Sequence, residues 1–176
     1  KNNDRIGLLL FSDQVEHFVP PKKGRGHVHR ILRDILFFEP ISRKTKLSVA
    51  FEHLRHALNK KTNIFIFSDF VDQHYEQSLR FLAKKHDTVA VVVEDAFEKE
   101  FPKIGIVDME DAESGDLITV DTSDPVFQKQ YREQNLQKIK QRDQELKKSN
   151  VDRVLVKTDS DFVDPLVQYF QARHRR

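Results

Sequence analysis

The 176 residues include 38% hydrophobic and 33% charged side chains, with 30 Lys and Arg against 28 Asp and Glu for a formal charge of +2. That length suits one domain with a sizeable core, and the balance of charge excludes the one-sided field of a general nucleic-acid binder. No apolar run approaches the ~18 residues of a membrane span, and the absence of cysteine excludes disulfides, thiolate zinc sites and cysteine nucleophiles. The polar start Lys1–Arg5 shows no secretory signal, so a reducing, cytoplasmic setting is expected.

Arg5–Phe11 (RIGLLLF) reads as a buried strand, Ser12-Asp13-Gln14 as a turn, and Val15–Val19 as its antiparallel partner. Pro20-Pro21 is expected to end that strand, because proline donates nothing to a ladder. Lys22–Gly26 reads as a loop. Val28, Ile31, Leu32, Ile35 and Leu36 then follow the spacing of an amphipathic helix, closed by Glu39-Pro40. After the polar loop Ser42–Lys46, Leu47, Ala50, Phe51, Leu54, Ala57 and Leu58 repeat the pattern, with Thr45 or Ser48 as the expected cap.

Ile64–Phe67 is a run of two β-branched and two aromatic residues, and it predicts a strand buried on both faces. Tyr75, Leu79, Leu82 and Ala83 mark a helix ending near Lys84-Lys85-His86, and Thr88–Val93 is a second solid apolar strand. Ile104–Met109 and Leu117–Val120 flank Glu113–Asp116, which reads as a hairpin with a Gly turn. Asp124-Pro125 is a helix start with Asp as cap and Pro at the first position. That helix runs to about Lys148 on a thin apolar stripe (Phe127, Tyr131, Leu136, Ile139, Leu146). Val151–Val156 predicts a last strand, and Val163, Leu166, Val167 and Phe170 a closing helix with Pro165 in its first turn. Helices alternating with strands from residue 26 onward argue for a three-layer α/β domain with a mostly parallel sheet, residues 1–176 forming one domain.

Ligands gather at the carboxyl ends of parallel strands, where Asp69 falls. Asp69 and Asp72 read either as a metal or catalytic acid there or as an N-cap cluster for the helix near Tyr75. Ser12-Asp13 reads as a turn, since no Gly-x-Ser-x-Gly elbow is present. His27-Val-His29 and His53-x-x-His56 have spacings open to metal ligation, but solvated helix surface is the preferred reading. Gly24-Arg-Gly26 lacks the residues of a nucleotide loop, and the basic runs Lys22–Arg25 and Arg173–Arg176 read as a solvated loop and tail.

A succession of stretches gives the chain a family resemblance. They are residues 3–13 (NDRIGLLLFSD), 20–26 (PPKKGRG), 43–47 (RKTKL), 64–70 (IFIFSDF), 85–91 (KHDTVAV), 120–125 (VDTSDP) and 161–166 (DFVDPL). In this order they resemble the von Willebrand factor type A-like domain of the bacterial family called domain of unknown function fifty-eight. Such domains are known for a metal-ion-dependent adhesion site at the top of the sheet. By the resemblance Thr45 matches its threonine and Asp69 its aspartate, as ligands to Mg²⁺ completed by a partner's acidic residue. The Asp-x-Ser-x-Ser motif that follows the family's first strand has no match here, so an N-terminally truncated domain with a partial site is expected. Loss of that strand is expected to bare the edges of Arg5–Phe11 and Ile64–Phe67, inviting self-association.

The resemblance implies a protein-binding adaptor, not an enzyme, in a bacterial setting beside MoxR-type AAA+ ATPases. Full-length relatives carry an N-terminal membrane anchor. The competing readings are a metal-dependent phosphoesterase using Asp69 and Asp72, and a fragment without independent function.

Overall fold

The computed structural model describes residues 4–98, 100–110 and 115–174. By its internal contacts the chain divides into two units, one of Lys1–Asn59 with Asp72–Ser78, the other of Lys60–Val71 with Leu79–Arg176.

In the first unit, strands β1 (Ile6–Phe11) and β2 (Val15–Lys22) form an antiparallel ribbon, followed by helices α1 (Arg25–Phe37) and α2 (Leu47–Ala57). Both helices lie against β1, and the core gathers Val19, Ile31, Leu47, Ala50, Phe51 and Tyr75. The Phe51 and Tyr75 rings meet edge to face at 6.2 Å. Two expectations are corrected. Strand β1 is exposed at its start and half-buried beyond it, because a two-stranded ribbon covers little of itself. Strand β2 also continues through Pro20 and Pro21 to Lys22. Their missing N–H groups are tolerated because the register shifts between the Ile6 and Leu8 pairs and because, among the described residues, β2 has only β1 as a neighbour. Gly7 lies inside that irregularity, where a Cβ would come within 2.9 Å of the Val19 carbonyl oxygen.

The second unit is built on a parallel sheet of β3 (Asn63–Ser68), β4 (Asp87–Glu94) and β7 (Asp152–Lys157), in the order β3-β4-β7. Helix α3 (Glu76–Lys85), whose first turn falls in the first unit, leads into β4. A separate antiparallel hairpin, β5 (Ile106–Glu110) and β6 (Leu117–Asp121), leads into α4 (Pro125–Lys148). The predicted turn residues Glu113 and Ser114 lie outside the described residues, as do Arg175 and Arg176 of the basic tail. Asp124 caps α4 as predicted, accepting from the Val126 N–H at 2.9 Å, with Pro125 at the first position. Helix α5 (Val163–His174) is tied to the amino ends of two strands. Tyr169 donates to Asp152 at 2.9 Å, and Arg173 pairs with Asp87.

The strand buried on both faces is β4, not β3. Val89, Ala90, Val91 and Val92 are all buried because β4 has β3 on one side and β7 on the other. Strand β3 is an edge strand with one buried face: Ile64 and Ile66 are covered, while Phe65 is 39% and Phe67 64% exposed. The Phe65 ring leans on Phe170 of α5 at 5.8 Å.

His86, at the joint between α3 and β4, is buried, and neither ring nitrogen has a hydrogen-bond partner among the described residues. Burial, and then the charge of Lys85, hold its pKa below the usual 6.5. The unfolded chain therefore takes up this proton first. Stability is full above pH 6.5 and falls as the pH drops through the lowered folded value. Urea midpoints measured at about pH 7.5 and about pH 5.5 are expected to differ less in His86→Leu than in the parent. The assignment fails if the variant keeps the parent's pH dependence.

Candidate functional site

Each unit presents one turn that carries a residue singled out by the sequence. In the first unit this is the segment before α2. Lys46 is its N-cap by position but makes no side-chain cap bond. Asp72, distant in sequence, supplies the bond instead, its Oδ2 accepting from the Leu47 N–H at 2.6 Å. A carboxylate there satisfies a donor that the helix leaves open and complements the helix dipole. Neither Thr45 nor Ser48 is the cap, because a carboxylate brought in by the fold occupies the place. The same segment is pinned by Lys46 N–H donating to the Ser12 carbonyl at 3.1 Å and Ser42 N–H donating to Glu16 Oε1 at 3.2 Å. Glu16 also accepts from the Ser12 hydroxyl at 2.6 Å, and that bond above all lowers its pKa. Thr45 is thus an exposed hydroxyl on a segment fixed on both sides.

In the second unit the turn follows β3. Asp69 Oδ1 accepts from the Val71 N–H at 3.1 Å, the Ser68 hydroxyl accepts from the Phe70 N–H at 3.0 Å, and the Asp69 side chain is exposed. Phe70 is buried with φ of 59°, a left-handed conformation costly for a bulky residue and held by its surroundings. Arg142 of α4 reaches the same turn, its Nη1 donating to the Asp69 carbonyl at 3.4 Å. Its Nη2 pairs with Glu94 at the end of β4 at 2.6 Å, both side chains buried. Next to Glu94, Asp95 accepts from the Phe97 N–H at 2.9 Å and the Thr158 hydroxyl at 2.7 Å. These two bonds, the backbone one first, lower its pKa.

The carboxyl end of the parallel sheet therefore gathers Asp69, Glu94, Asp95, Arg142 and Thr158. Sequence reasoning named the first alone. Glu94 and Asp95 had a signal, since they close an apolar strand as Ser68-Asp69 closes β3; Arg142 had none, lying in the most polar helix of the chain. Thr45 belongs to the first unit and Asp69 to the second. Among the described residues no group of three or more His, Asp or Glu could hold a metal ion. Within the second unit the donors do not fit a complete Mg²⁺ site: Asp69 brings one carboxylate already bonded in its turn, and Glu94 is paired with Arg142. Asp72 accepts from the Leu47 and Gln73 N–H groups, and it belongs to the first unit while Asp69 belongs to the second. The histidine spacings resolve as structure: His27 bonds the Ile6 carbonyl at 2.8 Å, and His53 meets the Phe18 ring at 4.8 Å.

A family model described as "Protein of unknown function DUF58" matches residues 1–142. The chain belongs to the DUF58 family. Curated relatives include the uncharacterized protein Rv1480 of Mycobacterium tuberculosis, 26% identical over 175 residues, covering 98% of this chain and 55% of that protein. The uncharacterized protein Mb1516 of Mycobacterium bovis matches to the same extent, so the chain spans about half the length of these relatives. The uncharacterized protein MAV169 of Mycobacterium avium is 25% identical over 160 residues, covering 89% of this chain and 94% of that protein. Among solved structures, the conserved hypothetical protein BatB from Bacteroides thetaiotaomicron superposes with a TM-score of 0.55 at 14% identity, covering 100% of this chain and 82% of that one. That likeness supports the expected von Willebrand A-like, α/β fold for this DUF58 chain.

Two measurements check the fixed turns. Arg142→Met removes the guanidinium that pairs with the buried Glu94 carboxylate and is expected to cost about 3–5 kcal/mol in urea unfolding, most of it recovered in Arg142→Met/Glu94→Leu. Equal losses in the single and double variants would rule out the ion pair as the cause. Asp72→Ala is expected to cost about 1 kcal/mol through the uncapped start of α2, and a neutral result would remove Asp72 from that role.

Proposed function

We propose that this DUF58 chain is a protein-binding module whose contact surface is the β3 edge together with the Asp69 turn. One observation carries the reading. Strand β3 is the edge of a parallel sheet, with Phe67 64% exposed and no Lys, Glu or Pro between Asn63 and Ser68. Native edges are usually blunted by charge, proline or a bulge, and an unblunted apolar edge is a template for an added strand. The exposed Asp69 ends that edge and offers a carboxylate to a donor on the partner. Thr45, exposed in the first unit, is a second contact suggested by the family resemblance alone. The same resemblance names the partner class, a MoxR-type AAA+ ATPase, for which this chain would serve as an adaptor.

Calorimetric titration of the chain with a purified MoxR-type ATPase, with and without Mg²⁺, tests this. Phe67→Asp places a charge on the edge and is expected to weaken binding by about thirtyfold or more, as for a central aromatic contact. Binding that is equal for parent and Phe67→Asp, or absent for both, would refute the proposal.

A further inference from the structure

Helix α1 of the first unit leaves most of its apolar stripe uncovered. Ile31 is its buried residue, while Leu32, Ile35 and Leu36 are exposed, Leu36 to 75%. These three stand at i, i+3 and i+4 and so share one face of the helix. Phe37 and Ile41, exposed at 79% and 85%, extend apolar surface past the helix end. Single exposed aliphatics are ordinary; a contiguous set of this kind marks an interaction site.

The charge of the segment that carries the face identifies what would cover it. Residues 22–46 contain eight Lys and Arg (Lys22, Lys23, Arg25, Arg30, Arg33, Arg43, Lys44, Lys46) against Asp34 and Glu39. The whole chain carries only +2, so the remaining residues are net acidic. Asp34 accepts from His17 at 3.0 Å and lies 3.5 Å from Arg30 and 3.7 Å from Arg33, and with both acids counted the segment still carries a formal +6. On a helical projection Arg25, His29 and Arg33 border the exposed aliphatics. Aliphatic side chains rimmed by long cations match an anionic lipid surface, with the apolar row at the acyl boundary and the cations at headgroup level. A nucleic-acid backbone would satisfy the cations and leave Leu32, Ile35 and Leu36 in water.

We infer that α1, with its flanking basic segments, is a peripheral docking surface for anionic membranes. This goes beyond the protein-binding reading and does not depend on it.

Co-sedimentation of the full chain with phosphatidylcholine vesicles, with and without phosphatidylglycerol, tests the inference. Binding is expected with the anionic vesicles, to fall steeply with added salt, and to be weak with neutral ones. Leu36→Ser is expected to lower the partition constant about tenfold, and Lys22→Gln/Lys23→Gln about fivefold for each charge removed. Both sites are exposed, and circular dichroism checks that the variants remain folded. Phe67→Asp should leave vesicle binding unchanged, which separates this surface from the β3 edge. Equal binding to neutral vesicles, retention of full binding by Leu36→Ser, or binding to a DNA duplex but not to vesicles would each overturn the inference.

Discussion

The ion pair of Arg142 with Glu94 is the constraint around which the second unit is arranged. A guanidinium and a carboxylate buried together at 2.6 Å are costly to desolvate and tolerable only when both remain in place. The pair therefore locks α4, through its next-to-last turns, onto the carboxyl end of the central strand β4. From the same guanidinium a second donor reaches the Asp69 carbonyl, fixing the turn in which Phe70 is held at positive φ. Asp69 is exposed on a turn whose backbone is determined from within. A rigidly presented carboxylate loses little conformational entropy on meeting a partner, which favours binding without new contacts.

With Glu94 committed to Arg142 and Asp95 to Phe97 and Thr158, the end of the sheet keeps its acids in internal bonds. What stays exposed in this unit is the Asp69 carboxylate together with backbone and aromatic surface along β3. Its ladder to β4 runs without a register shift from Asn63 to Ser68, so the strand is regular as a template should be. Edge pairing is short-ranged and nearly indifferent to salt.

How much was legible in the sequence depended on whether the deciding interaction was local. Every strand and α-helix was foreshadowed by its apolar pattern, though the short 3₁₀ helix Ala96–Glu98 was not, and the Asp124-Pro125 start was legible because a cap and its helix are neighbours in sequence. Burial of β3 and β4 was not separable: IFIF and TVAVVV are both solid apolar runs, and only the sheet order decides which is central. Small β-branched side chains in β4 against two phenylalanines in β3 were the available hint, since bulky rings are harder to cover on both sides. The prolines of β2 were misread because the rule assumes a neighbour strand needing their N–H. Asp72 reads as a cap, but of the helix near Tyr75; that it caps α2 instead, and that Arg142 stands at the end of β4, were invisible for a common reason. Each acts across a sequence separation that composition and period do not encode.

The same limit explains why the charge of the chain understated its chemistry. A formal charge of +2 averages a basic stretch, residues 22–46, with an acidic remainder. Averages govern solubility, whereas binding is governed by the field within about a Debye length, ~10 Å at 0.1 M salt. A helix that is apolar on one stripe and basic beside it therefore acts on an anionic surface as a local object, whatever the chain's total. Its aliphatic row would be insoluble as a larger patch and ineffective without the cations, and the two features occur together on α1. The outer edge of β3, without a ladder partner among the described residues, relies on hydrogen bonding and ring burial, and α1 on counter-charge and hydrocarbon. Salt concentration consequently discriminates between the two surfaces in a single preparation, weakening association through α1 while leaving association through β3 nearly constant.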